Sequence, residues 1–277
     1  MSYETDQRSA IDAWRTRSPG LLSVWWEKSL TPVTRLVNMV VPESALHAAL
    51  EGACALGEWL TSPESVLQQS GMPQIAALRD CPLEVCDTLA DTVHDRAVAM
   101  AAAEGGLTGA TGLIGVAVDI PGLMTLSLRT IYQTGLCYGF ELKGDEGRRL
   151  ALRIFSLASA NSLKEKEAAL ISLVAIRQML TQQSWAQIQQ AATVTLGREA
   201  MMVAVRDVAK QLGINLTKRK ALNIVPVIGA AVGAAINAAF VNDVGWAARR
   251  SFQELWLAQQ FETPLCGQAP LLPGQGT

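Results

Sequence analysis

The sequence is short of charge, of histidine and of hairpin signals, and each shortage removes a class of protein. Charged residues make up 17% of the 277-residue chain and the formal charge is −2. Nucleic-acid binding needs a basic excess or a basic stripe, so no nucleic-acid partner is expected. The two histidines, His47 and His94, are far apart, and the five cysteines (Cys54, Cys81, Cys86, Cys137, Cys266) form no CxxC pair. Neither set has zinc-ligand spacing, so no metal site and no cofactor is expected. An odd number of thiols leaves one unpaired under any disulfide scheme, which favours a reducing compartment. The N-terminal stretch MSYETDQRSAIDAWRTR carries charges where a secretory segment needs apolar residues. These readings point to a cytoplasmic protein. Neither Asn-Gly nor Asp-Gly occurs, and no run alternates apolar with polar residues.

What is present is helix punctuation. Thr31-Pro32, Ser62-Pro63 and Cys81-Pro82 place proline where a first helical turn tolerates it. Ser162 and Glu165 form a capping box ahead of Leu163–Leu180. Tyr138-Gly139-Phe140 and Leu212-Gly213-Ile214 read as helix ends, with glycine in the left-handed position and an apolar residue folding back. The spacing predicts helices over 4–17, 20–30, 43–60, 63–70, 82–103, 106–117, 121–138, 145–160, 163–180, 184–212, 226–240 and 242–260. The fold class is all-α: a single multi-helix domain, 49% hydrophobic, built around two glycine-rich apolar helices packed closely. Residues 1–82 form its N-terminal helical section, 83–262 a glycine-rich core, and 263–277 a tail that composition marks as disordered.

The first glycine-rich segment follows Glu104 and carries Gly105, Gly109 and Gly112; the second carries Gly229 and Gly233, with Asn237 a further four residues on. A mid-helix glycine costs about 0.8–1 kcal/mol relative to alanine, so the density needs compensation. Small residues at steps of four let helix backbones approach, and the two segments are expected to pack together or on a common neighbour. Surface-inserting helices are the competing reading. Neither segment offers the roughly 20 apolar residues of a membrane span, and no phosphate-binding glycine motif occurs.

Asp119 precedes Ile120-Pro121 and is expected to cap a helix starting there. The alternative is a buried pair with Arg129. Asn237 reads as a helix–helix hydrogen-bonding residue, and Asn242 and Asp243 as caps of the last helix. Lys218, Arg219 and Lys220 precede the second segment and Arg249 and Arg250 follow it. The default for such basic residues is a solvated face; the alternative is contact with anionic headgroups.

The blocks EGGLTGATGLIGVAVDIPGLMTLSLRTIYQTGLCYGF and LTKRKALNIVPVIGAAVGAAINAAFVNDVGWAAR carry a resemblance. The glycine run into Asp119-Ile120-Pro121, the Leu128-Arg129 step, Tyr138-Gly139-Phe140, and Pro226, Gly229, Gly233, Asn237 and Phe240 resemble the EcsC protein family over roughly residues 85–260. The resemblance implies a shared helical fold in bacterial proteins of unsettled biochemical role, named for one encoded beside an ABC transporter. It implies no catalytic residues. The leading expectation is a non-enzymatic accessory protein whose partner is an anionic membrane surface or a membrane protein. A hydrolase with Glu104, Asp119 and Arg129 around a cleft is the alternative, and a soluble helical scaffold is a third. Converging polar groups at an open cleft would favour the enzyme; buried, satisfied ones would favour contact.

Overall fold

The computed structural model describes residues 2–18, 43–109, 113–160, 162–182 and 229–262. Every regular element among them is helical: α1 (Tyr3–Thr16), α2 (Glu43–Trp59), α3 (Pro63–Ser70), a 3-10 turn (Ile75–Asp80), α4 (Leu83–Gly109), α5 (Leu113–Cys137), α6 (Gly144–Ser159), α7 (Leu163–Gln182) and α8 (Gly229–Glu262). The expected helices at 20–30 and 184–212, Gly112, Lys218, Arg219, Lys220 and the tail from 263 lie outside the described residues.

The local signals read from the sequence act as physical devices. The Ser62-Pro63 start of α3 has proline in its first turn. The Ser162 hydroxyl accepts from the Glu165 amide at 3.2 Å and caps α7. At the end of α5 the Phe140 amide donates to the Gly135 carbonyl (2.8 Å) and the Gly139 amide to that of Leu136 (3.0 Å). Gly139 has φ +82°. That is the bond pattern of a left-handed glycine stop, and it satisfies carbonyls the helix end would otherwise leave open.

Three expected helix breaks are absent, and each time packing overrides local propensity. Gly105 and Gly106 do not end α4, which runs on to Gly109. Asn242 and Asp243 do not start a helix; α8 passes straight through them. Asp119 is no N-cap either. It lies inside α5, and Pro121 is an interior proline. An interior proline forgoes one helical hydrogen bond, a cost of about 3 kcal/mol. Burial offsets it: Ile120, Leu123 and Met124 are all buried.

Helices α4, α5 and α8 pack on one another at the centre. α2 lies along α5, α6 packs on α8 and α7 on α6, and α1 crosses near one end of the α4–α8 pair. α4 and α8 run antiparallel: Asp87 meets Gln253, Asp91 meets Arg249, His94 meets Gly245 and Gly105 meets Gly233. From Asp87 to Gly105 this seam is about 27 Å long at 1.5 Å per residue. The core beside it is aromatic, with Phe252 stacked near Tyr138 and Phe140 and Phe155 edge-on to Phe240.

Candidate functional site

The residues singled out by the glycine pattern meet where α4, α5 and α8 join. An added Cβ on Gly105 would lie 2.3 Å from the Gly233 carbonyl oxygen and 2.8 Å from the Asn237 Cβ. Only glycine permits that approach, because real Cβ atoms do not come so near another backbone. Gly109 and Gly229 stand at the ends of α4 and α8.

The close approach positions a carboxylate. Asn237 donates its side-chain amide to Asp119 Oδ1 at 2.8 Å, and the Thr108 hydroxyl reaches the same oxygen at 2.7 Å. Asp119 is 1% exposed and Asn237 0%. A buried carboxylate without donors costs several kcal/mol, so these bonds are conditions of the fold. Beside them the Glu104 carboxylate lies against Gly122, where an added Cβ would fall 2.0 Å from Glu104 Oε1. Glu104, Asp119 and Asn237 are thus brought together. Arg129 is not among them. Ten residues along one continuous helix separate it from Asp119 by about 15 Å, so the buried Asp119–Arg129 pair does not form. Arg129 faces a cleft shared with Arg96.

A second polar constellation holds the other end of the α4–α8 seam. Asp87, 1% exposed, accepts from the Tyr3 hydroxyl (2.7 Å), from the Tyr138 hydroxyl and from Gln253 Nε2, which reaches both carboxylate oxygens at 2.8 Å. Arg249 adds an ion pair to Asp87 at 3.4 Å and another to Asp91. Burial, and then hydrogen bonding to Asp87, pushes the Tyr3 phenol up to about 12. Burial and the Asp87 charge also raise the Tyr138 phenol well above its ordinary value. Burial opposes the charge of Arg249, but the Asp87, Tyr138 and Asp91 groups outweigh it and leave its pKa raised. Arg250 donates to Gln7 (2.9 Å) and Gln253 (2.7 Å) and lies over the Trp246 ring. Arg249 and Arg250, for which a solvated face is the default expectation and headgroup contact the alternative, are instead tied to partners within the fold. The basic side chains satisfy Asp87 and its neighbours.

The sequence reading missed Asp87, Tyr138 and Gln253 as a group. One signal for Asp87 existed: it lies on the helical stripe Leu83, Cys86, Ala90, His94, Ala97, Ala101, otherwise nearly apolar and all buried. A charge on a core stripe demands a partner. His94, on the same stripe, contacts Asn242 Oδ1 through Nε2 at 3.1 Å and meets Trp246 edge-on; burial lowers its pKa.

Asp243 lines a third polar region, a cleft of about 470 Å³ with Trp14, Arg17, Lys166 and Trp246. Burial lowers the pKa of Lys166 to about 8, opposed by Asp243. The ammonium donates to the carbonyls of Trp14 and Arg17 (the latter at 2.9 Å) and lies over the Trp14 ring. It caps the C-terminus of α1, where cations are favoured.

Fold and site define an all-helical protein whose conspicuous polar residues tie a glycine-packed trio of helices together. The sequence of the EcsC protein family matches residues 5–257, and the chain belongs to that family. The match begins far ahead of residue 85, so the N-terminal section is part of the family's common unit. A Bacillus subtilis (strain 168) protein described as "Uncharacterized protein YdbA" is 28% identical over 254 residues, covering 86% of this chain and 87% of the relative. No solved structure matches. No helix among the described residues is long and apolar enough to cross a membrane.

Proposed function

We propose that this EcsC-family protein is a non-enzymatic contact protein that works at an anionic membrane surface, beside membrane proteins. One contrast supports the reading. The polar residues that a catalytic site would need are spent inside the fold, Asp119 on Asn237 and Thr108 and Asp87 on Tyr3, Tyr138 and Gln253. Large apolar side chains, by contrast, face outward: Trp59 is 79% exposed, Leu107 77% and Ile171 72%. Leu56, Trp59 and Leu60 share one stripe of α2 and its end, and Met100 and Leu107 share one face of α4. Exposed apolar side chains gathered in this way suit a contact surface, and tryptophan suits the membrane interface in particular.

Flotation of the purified chain with anionic vesicles tests the proposal. Binding that salt reverses is the expected result, because headgroup attraction is screened. A chain that ignores such vesicles at low salt removes the lipid contact and leaves a protein partner.

A further inference from the structure

Arg129, which the Asp119 site does not use, opens onto a different feature. With Arg96 it lines a cleft of about 190 Å³ between the start of α3, the middle of α4 and the second half of α5. The other polar walls are Ser62, Ser65, Gln69, Thr130 and Gln133, and among the described residues no carboxylate lines the cleft, although the Ser62 hydroxyl donates outward to Glu64; Gln133 donates to Ser65 at 3.3 Å. Among the described residues neither arginine makes an ion pair, and Arg129 Nε is buried without an acceptor. A buried guanidinium N–H left unpaired is costly; the Nε atoms of Arg249 and Arg250 also lack an acceptor, but those two groups are partnered through their terminal nitrogens by Asp87, Asp91, Gln7 and Gln253. Two unmatched positive charges, hydroxyls and side-chain amides around a small open cleft form an oxyanion receptor. Guanidinium groups match a phosphate with paired N–H donors.

The surroundings decide which phosphate. Met100, 49% exposed, is part of the cleft wall. Trp59 and Leu60, both exposed, lie three and two residues before Ser62 of the cleft wall. A soluble phosphate ester gains nothing from an exposed methionine in the wall and exposed apolar residues in the adjoining turn. A lipid headgroup brings acyl chains for them. We propose that the Arg96–Arg129 cleft holds the phosphate of an anionic phospholipid headgroup, with Trp59, Leu60 and Met100 resting in the interface around it. This rests on the membrane-contact reading and gives that contact a specific site.

The test uses the full chain, vesicles of phosphatidylcholine containing a minority of phosphatidylglycerol, and inorganic phosphate measured by calorimetry. The variants are Arg96→Gln/Arg129→Gln and, because Arg129 is partly buried, the exposed single change Arg96→Glu. Lys143→Gln/Lys164→Gln, two exposed lysines away from the cleft, removes the same charge as a control. The proposal expects vesicle affinity to fall roughly 10–30-fold in Arg96→Gln/Arg129→Gln and at least as far in Arg96→Glu, with the control nearly unchanged. An equal loss in the control, or no loss in the cleft variants, overturns the site while leaving membrane contact standing. Wild-type protein that binds inorganic phosphate but ignores the vesicles overturns the lipid assignment and the membrane reading together.

Discussion

Gly105 and Gly233 touch backbone to backbone, with room between them for hydrogen but not for a methyl group. Gly105→Ala must push α4 and α8 apart or distort one of them, at a cost of about 1–3 kcal/mol. Gly52, in α2, has nothing within 4 Å of an added Cβ. Gly52→Ala should instead be neutral or stabilise by up to about 1 kcal/mol. Urea denaturation of the two variants checks the contrast. Equal effects at both positions would show that the α4–α8 contact is looser than described.

Asp119 and Asn237 should behave as one unit. Asp119→Ala leaves the Asn237 amide buried without its acceptor, at a cost of about 1–3 kcal/mol. Thr108 loses less, because its hydroxyl already reaches the Glu104 carbonyl at 3.0 Å. Asp119→Asn retains an oxygen where both donors point and should cost clearly less. In a double-mutant cycle with Asn237→Ala, the coupling should lie near 0.5–3 kcal/mol. Additive losses would mean the bond contributes little.

Those two pairs also show how far the sequence was legible. Spacing of small residues announced that 105 and 233 lie on contact faces, and Asn237 was readable as a helix-bridging side chain. Its partner was not. Ile120-Pro121 is a strong local stop, and only burial of Ile120, Leu123 and Met124 by distant helices lets α5 continue through it. Once the helix is continuous, Asp119 and Arg129 point to different places along it, and the sequence-level pairing fails. Asp87 needed the identity of its facing helix, which periodicity in α4 alone does not supply. Helix caps at Ser162 and Gly139 were readable because they depend on neighbours within a few residues.

Tyr138→Phe removes one hydroxyl from Asp87 and keeps the ring near Phe252, at 6.3 Å between centroids. Hydrogen bonds to charged groups contribute about 1.5–3 kcal/mol, and the melting temperature should fall accordingly. An unchanged melting temperature would show that Gln253, Tyr3 and Arg249 satisfy the carboxylate without it.

Stability should decline as pH rises above about 9. Burial pushes the Cys54 and Cys86 thiols up to about 12, against about 8.5 for a free thiol. The folded state therefore holds more protons than the unfolded chain between those values, and stability present below the lower one is lost through the upper one. Tyr3 adds the same sign from about 10 to about 12. Lys166 has the opposite sign, since its folded value of about 8 lies below that of a free lysine. Chemical denaturation across this range should show a downward slope that becomes shallower in Cys54→Ala/Cys86→Ala. A slope unaltered by that double change would mean the thiols are not shielded.

Contact with an anionic surface is the central claim, and flotation across a salt series tests it most directly. Purified chain is mixed with phosphatidylcholine vesicles, with and without phosphatidylglycerol, at about 50 mM and about 500 mM salt, where the screening length falls several-fold. The expected result is co-flotation only with the anionic vesicles at low salt, and recovery in the soluble fraction at high salt. Protein that stays with the vesicles until detergent is added, or that never floats even at low salt, would contradict the account.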